Sequence, residues 1–159
     1  MVGLLLNAKV TCNCNNHTSS CVFDASLYDS TGSGGRCINC THNTAGPHCS
    51  ECAPGYYPQA NVSVSSVNYC KSCDCNTAGT ANASINCTAA VGQCSCKSNV
   101  QGPDCSMCVN GTYNLSSANP DGCQDCGCHS SLSLSPLCTN DGQCSCVPNA
   151  VGDKCSSCG

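Results

Sequence analysis

Cys40-Thr41-His42-Asn43-Thr44-Ala45-Gly46-Pro47-His48-Cys49-Ser50-Glu51-Cys52 is the stretch on which the fold turns. Its cysteine signature, C-x8-C-x2-C, returns with identical spacing at Cys96, Cys105 and Cys108 and again at Cys146, Cys155 and Cys158. Other residues return in register with it. Asn stands three positions after the first cysteine of each copy (Asn43, Asn99, Asn149), and Gly six positions after it (Gly46, Gly102, Gly152). Upstream of each copy lies a C-x-C pair: Cys12/Cys14, Cys73/Cys75 and Cys126/Cys128. Gly-Gln-Cys-Ser-Cys occurs at 92–96 and at 142–146. Gly55-Tyr56-Tyr57 and Gly111-Thr112-Tyr113 follow the first two copies, and then a single cysteine, Cys70 or Cys123. Self-similarity at a period of about fifty residues marks an array of modules that each repeat one supersecondary unit.

Working outward, the cysteines sort into eight, eight and seven, which accounts for all 23. Module one holds Cys12, Cys14, Cys21, Cys37, Cys40, Cys49, Cys52 and Cys70. Module two holds Cys73, Cys75, Cys87, Cys94, Cys96, Cys105, Cys108 and Cys123. Module three holds Cys126, Cys128, Cys138, Cys144, Cys146, Cys155 and Cys158, and lacks an eighth. The expected boundaries are 12–72, 73–125 and 126–159, with 1–11 as the tail of a preceding segment or a gene-model start. Leu4-Leu5-Leu6 is too short an apolar run, and Lys9 lies on the wrong side of it, for a secretion signal. Lengths vary in the segments before Cys37, Cys87, Cys94, Cys138 and Cys144, which a cross-linked fold tolerates because closure entropy grows slowly with loop length.

Composition explains why such a chain needs its cysteines. Leu, Ile, Val and Phe together number only 22 of 159 residues, below the fraction expected of a domain with its own core. So few large aliphatics cannot offset about 1–2 kcal/mol of backbone entropy per ordered residue. Charged residues are 9% of the chain, with five basic and nine acidic side chains and no basic run. A phosphate-tracking nucleic-acid surface is therefore not expected. No stretch reaches the length of a membrane span.

Cysteine at this density belongs to an oxidising compartment or to metal sites. Seven N-x-Ser/Thr sequons favour the outside of the cell: Asn16, Asn61, Asn82, Asn110 and Asn114, with Asn39 and Asn86 weaker because a cysteine occupies their middle position. Zinc would use C-x2-C pairs such as Cys37/Cys40 and Cys49/Cys52, but it leaves the x8 spacing and the in-register glycines unexplained. Calcium needs clustered acids, and the module starts offer only Asp74 and Asp125. No metal or other cofactor is expected. For catalysis, His17, His42, His48 and His129 are scattered, and no nucleophile-elbow or phosphate-loop motif is present. His42 and His48 read as exposed loop residues without counterparts in the other modules. A cysteine nucleophile needs a free thiolate, and only Cys158 is left over by the eight-cysteine pattern. The chain reads as a non-enzyme.

The eight-cysteine module, with C-x-C first, C-x8-C-x2-C in its second half and Gly-Tyr-Tyr after it, resembles the laminin-type EGF-like domain. The resemblance runs from residue 12 to 158. The family implies bridges 1–3, 2–4, 5–6 and 7–8, one of the 105 connectivities that eight cysteines allow. Carried onto this chain, it pairs Cys12–Cys21, Cys14–Cys37, Cys40–Cys49 and Cys52–Cys70 in module one. It pairs Cys73–Cys87, Cys75–Cys94, Cys96–Cys105 and Cys108–Cys123 in module two, and Cys126–Cys138, Cys128–Cys144 and Cys146–Cys155 in module three. Cys158 loses its partner, expected beyond Gly159. Pro148-Asn149-Ala150-Val151-Gly152 resembles part of the nidogen-binding loop of the laminin gamma chain. It lies in a different loop, however, and Asn149 and Gly152 are ordinary repeat positions, so nidogen binding is not assigned.

The expected fold is small and disulfide-rich: tandem modules of short two-stranded ribbons and loops, almost no helix, stacked as a rod through the two-residue linkers Lys71-Ser72 and Gln124-Asp125. The expected function is a structural spacer in a laminin- or netrin-like protein of the extracellular matrix or basement membrane. Its partners would be other matrix or cell-surface proteins, with neither nucleic acid nor membrane insertion. The competing reading is a ligand-recognition segment of a cell-surface receptor ectodomain. A small secreted inhibitor or toxin fits the three-fold repeat poorly.

Overall fold

A computed structural model describes residues 11–89 and 91–159. The stretch 1–11, expected as the tail of a preceding segment or a gene-model start, therefore lies outside the described residues, apart from Thr11. Two compact bodies make up the chain. One ends at Ser72 and takes in Ala89 and Val91; the other holds Cys73–Thr88 and Gly92–Gly159.

Among the described residues, the buried apolar side chains are cysteines, with Leu27 and Val100 the exceptions. Larger apolar residues such as Val22, Phe23, Val67 and Leu134 remain exposed. Sulfur thus occupies the interior that aliphatic side chains fill in an ordinary domain. In the first body, Cys14, Cys37 and Cys49 form the buried cluster, with Cys21 and Cys40 packed against it.

The first body starts with strand β1 (Cys21–Phe23), helix α1 (Ala25–Thr31) and strand β2 (Gly35–Cys37), β1 pairing antiparallel with β2. Strands β3 (Thr44–Ala45) and β4 (Glu51–Cys52) form the second ribbon, and β5 (Tyr56–Pro58) and β6 (Cys70–Ser72) the third. In the second body, the isolated ladder pairs Thr80–Cys96 and Cys87–Cys94 come first. Then β7 (Val100–Gln101) pairs with β8 (Met107–Cys108), and β9 (Thr112–Tyr113) with β10 (Gln124–Asp125). Last, β11 (Ser133–Cys138) pairs with β12 (Cys144–Cys146), and β13 (Ala150–Val151) with β14 (Ser157–Cys158). Every sheet here is a two-stranded ribbon. Such ribbons are marginal alone in water, so their persistence rests on the cross-links.

The recurring residues of the x8 loop now have physical causes. Gly46, Gly102 and Gly152 sit at φ +85, +97 and +90, a left-handed region where side chains are strained. That turn lets the amides of Cys49, Cys105 and Cys155 reach the carbonyl three residues back, at 3.2, 3.3 and 3.0 Å. The loop then closes as a ribbon with one register in all three copies: Thr44 faces Cys52, Val100 faces Cys108 and Ala150 faces Cys158. The repeated Asn supplies the carbonyl that receives the amides of Ala53, Val109 and Gly159, at 2.8, 3.0 and 2.8 Å.

Helix α1 is a seven-residue exception within a fold that is otherwise almost free of helix, as expected. Its ends, not its faces, specify it. Asp24 caps the N-terminus by accepting the Leu27 amide at 3.0 Å, and Gly32 closes the other end at φ +74. Phe23, just before the cap, packs on Tyr28 with ring centroids 5.9 Å apart, a hydrophobic staple. Leu27 supplies the buried contact.

Candidate functional site

In a chain of this kind, what the molecule does depends on how its modules are locked and joined. Eleven disulfides do the locking. Cys12 is bonded to Cys21, Cys14 to Cys37, Cys40 to Cys49 and Cys52 to Cys70. Cys73 is bonded to Cys87, Cys75 to Cys94, Cys96 to Cys105 and Cys108 to Cys123. Cys126 is bonded to Cys138, Cys128 to Cys144 and Cys146 to Cys155, while Cys158 is a free, exposed thiol. Their Cα separations run from 5.2 to 5.8 Å, the ordinary range for a bridge. The first two bridges of each module interlock in sequence, and those that follow, two each in modules one and two and one in module three, close separate loops. Each loop is held within its own module.

The linkers are not free connectors. Lys71 and Ser72 lie in β6, opposite Tyr57 and Tyr56, and Gln124 and Asp125 are β10, opposite Tyr113 and Thr112. In the second body the ladder runs on into the next module, because the Cys126 amide donates to the Gly111 carbonyl at 2.8 Å. Tyr113 then meets module three. A side chain at Gly142 would put its Cβ 2.3 Å from the Tyr113 ring. The Lys154 ammonium sits 4.8 Å from the centroid of that ring and donates to the Gly142 carbonyl at 2.7 Å. The sequence marked Gly-Thr-Tyr and Gly-Gln-Cys-Ser-Cys as separate repeats; at this junction they are the two halves of one contact.

Module two is also braced across its own loops. Lys97 donates to the carbonyls of Asn119 at 2.9 Å and Ser117 at 3.3 Å, and the Asn99 side-chain amide donates to Cys123 O at 3.0 Å. Sequence reading missed Lys97, whose position carries no basic residue in the other copies. In module one a histidine does the equivalent work. His17 is 1% exposed, with Nε2 2.6 Å from the Val64 carbonyl, an acceptor only, so Nε2 carries the proton. Its Nδ1 faces Nδ1 of His42 at 3.0 Å. His17 is thus buried and spent on holding a loop, and it is brought together with His42 rather than scattered from it. His42 is exposed, as a loop residue, but His48 is half-buried with Nδ1 sealed from solvent. His129 is exposed and lies in the second body.

Two carboxyls lie below the usual range. Asp24 is held down by the Leu27 amide and then by Arg36, whose Nε ion-pairs with it. Asp104 is held down chiefly by the Ser106 hydroxyl, 2.8 Å away. Neither belongs to a cluster of acids, and Asp125 spends one oxygen on the Gly127 amide at 2.6 Å. Asn16, Asn39, Asn61, Asn82, Asn86, Asn110 and Asn114 are all exposed.

Comparison with known proteins agrees with this architecture. The family model for the laminin EGF domain matches residues 73–123 and 126–159, and that for the laminin/attractin EGF domain matches 12–63. Usherin of Homo sapiens is 42% identical over 125 residues, covering 76% of this chain and 2% of that protein. Laminin subunit beta-1 of Homo sapiens is 43% identical over 133 residues, covering 77% and 7%. Laminin subunit beta-1 of Drosophila melanogaster is 39% identical over 143 residues, covering 84% and 8%. The chain therefore spans less than a tenth of the length of these relatives. Bridges at this density, in a family of extracellular modules, set it in an oxidising compartment outside the cytosol. With sulfur for a core, a fixed C-x8-C-x2-C ribbon and linkers absorbed into strands, the chain belongs to the laminin EGF domain family.

Proposed function

We propose that residues 12–159 serve as a non-catalytic structural spacer within a longer, laminin- or netrin-like protein of the extracellular matrix or basement membrane. In this reading the modules are 12–72, 73–125 and 126–159, preceded by 1–11, and the segment's partners are other matrix or cell-surface proteins. One observation carries it: the disulfides are internal to modules, while the linkers are strands of the module they follow. That arrangement suits a segment whose task is to hold neighbours at a set separation. The relatives, laminin beta subunits and usherin, support a matrix role. The histidines support no catalytic reading, since His17 is committed to Val64 and His42.

Module exchange in the full-length protein tests the proposal. Residues 12–159 are replaced by three laminin EGF modules of unrelated surface sequence, matched in cysteine spacing. A spacer predicts that matrix incorporation persists. Loss of incorporation with normal secretion would favour a recognition segment and overturn the spacer. The proposed bridge set is checked on the secreted chain by non-reducing peptide mapping, with 22 thiols oxidised and Cys158 alkylated, the numbers following from 23 cysteines and eleven bridges. A map with the free thiol in module one would contradict that register.

A further inference from the structure

A groove of about 570 Å³ opens beside the junction of modules two and three, a volume in the range of small-molecule sites. Module two contributes Met107, Asn110, Asn114 and Leu115 to its wall, and module three contributes Leu137 and Asn140. Met107 is 53% exposed and Leu137 48%, so the groove holds apolar surface that the protein itself leaves uncovered. Two of the wall residues, Asn110 and Asn114, are sequon asparagines. A sugar carried on either would be tethered at the groove from the outset.

The two acceptors are not equivalent. Asn110 precedes Gly111, whose carbonyl fastens Cys126, and the hydroxyl of its sequon, Thr112, lies within β9 and reaches the Val109 carbonyl at 2.8 Å and the Asn99 carbonyl at 3.3 Å. Asn114 stands just past β9 in a left-handed turn at φ +55. The hydroxyl of its sequon, Ser116, accepts the Ala118 amide at 3.3 Å and, among the described residues, is not tied to a carbonyl. We propose that Asn114 carries an N-linked glycan whose first N-acetylglucosamine occupies this groove and buttresses the junction. The apolar face of the pyranose covers Met107, Leu115 and Leu137, and its acetamido and hydroxyl groups face the Asn140 side. A sugar rooted in module two and resting on module three adds a contact across the joint that the chain alone does not make.

The inference rests on the extracellular reading above. The chain is secreted from eukaryotic cells, and glycopeptide mapping is combined with hydrogen exchange of the amides at Leu137–Asn140. We expect Asn114 to be occupied. Asn114→Gln should speed exchange at Leu137–Asn140 several-fold, while Asn61→Gln and Asn82→Gln, at sequons outside the groove, leave it unchanged. Endoglycosidase H, which leaves the first sugar in place, should preserve the protection when applied to high-mannose protein. An unoccupied Asn114 with other sequons glycosylated, or an occupied Asn114 whose loss leaves exchange unaltered, overturns the seat alone. A chain retained without any glycan or disulfide overturns the extracellular reading itself.

Discussion

Gly142 shows how one missing side chain can hold a joint. Its φ of +82 is left-handed, and a Cβ there would fall 2.3 Å from the Tyr113 ring. Gly142→Ala therefore meets two obstacles, a backbone cost of about 1–2 kcal/mol for a left-handed non-glycine residue and a packing clash of about 1–3 kcal/mol. Tyr113→Ala removes the clash and leaves the backbone cost. We expect Gly142→Ala to lower the opening free energy at the Cys126 amide by about 2 kcal/mol, and the double variant with Tyr113→Ala to lose clearly less than the sum. Hydrogen exchange at that amide, donated to Gly111 O, reads the coupling. Strict additivity would mean that Tyr113 does not press on Gly142. Sequence periodicity marks both residues through the repeats at 92–96 and 142–146 and through the glycine–aromatic element. It could not mark them as partners, because register within a module carries no information about what one module sets against the next.

At the scale of elements, bridges and caps divide the work. The Cys108–Cys123 bond closes a loop of sequence separation 15 that contains β9 and ends just before β10, a size for which the chain-entropy model gives about 3 kcal/mol. Replacing both cysteines with alanine should destabilise module two by roughly that amount and expose 109–122 to proteolysis, with the three bridges of module three still formed. Unchanged proteolysis in 109–122 would mean that Lys97 and Asn99 hold the loop without the bond. Helix α1 depends instead on a charge. The folded Asp24 carboxyl is depressed by the Leu27 amide and Arg36, so its contribution is present above the unfolded carboxylate range near 3.9 and is lost as pH falls through the lower folded value. Amides 27–32 should lose protection, relative to those of β7 and β8, as a sample is acidified below about pH 4. Asp24→Asn keeps an acceptor at the cap and should flatten that pH dependence, and a helix whose acid response survives the change would assign it to another group. The helix was legible in part: Phe23, Asp24, Tyr28 and Gly32 spell a staple, a cap and a stop. A search for a 3.6-residue apolar stripe passes over it, since Leu27 is its buried side chain. The ribbons themselves were legible from cysteine spacing because identical loops closed by identical residues can fold in only one register. The His17 brace was not, since Val64 lies 47 positions away along the chain.

For the whole molecule, the proposed spacer makes a claim about length under load. The widest bridge, Cys14–Cys37, spans a separation of 23 and stays within module one. No disulfide among the described residues ties one module to another, so tension applied to the ends passes through every module in series. Within each module that tension meets covalent bonds before it can draw out the loops behind them. Opening Cys52–Cys70 would release a separation of 18 residues, or about 60 Å at roughly 3.4 Å per residue. While the bond holds, that length is unavailable, and ribbons whose strands run from two to six residues can add only short extensions. Single-molecule pulling on the oxidised chain should therefore give no step approaching 60 Å. Adding a thiol reductant under the same load should bring longer steps in as bonds are cut, with the largest expected from modules one and two, whose Cys14–Cys37, Cys75–Cys94 and Cys52–Cys70 bonds span separations of 23, 19 and 18. Long steps in the oxidised chain, or a force–extension curve indifferent to reductant, would show that the bridges do not guard its length, and the spacer reading would lose its physical basis.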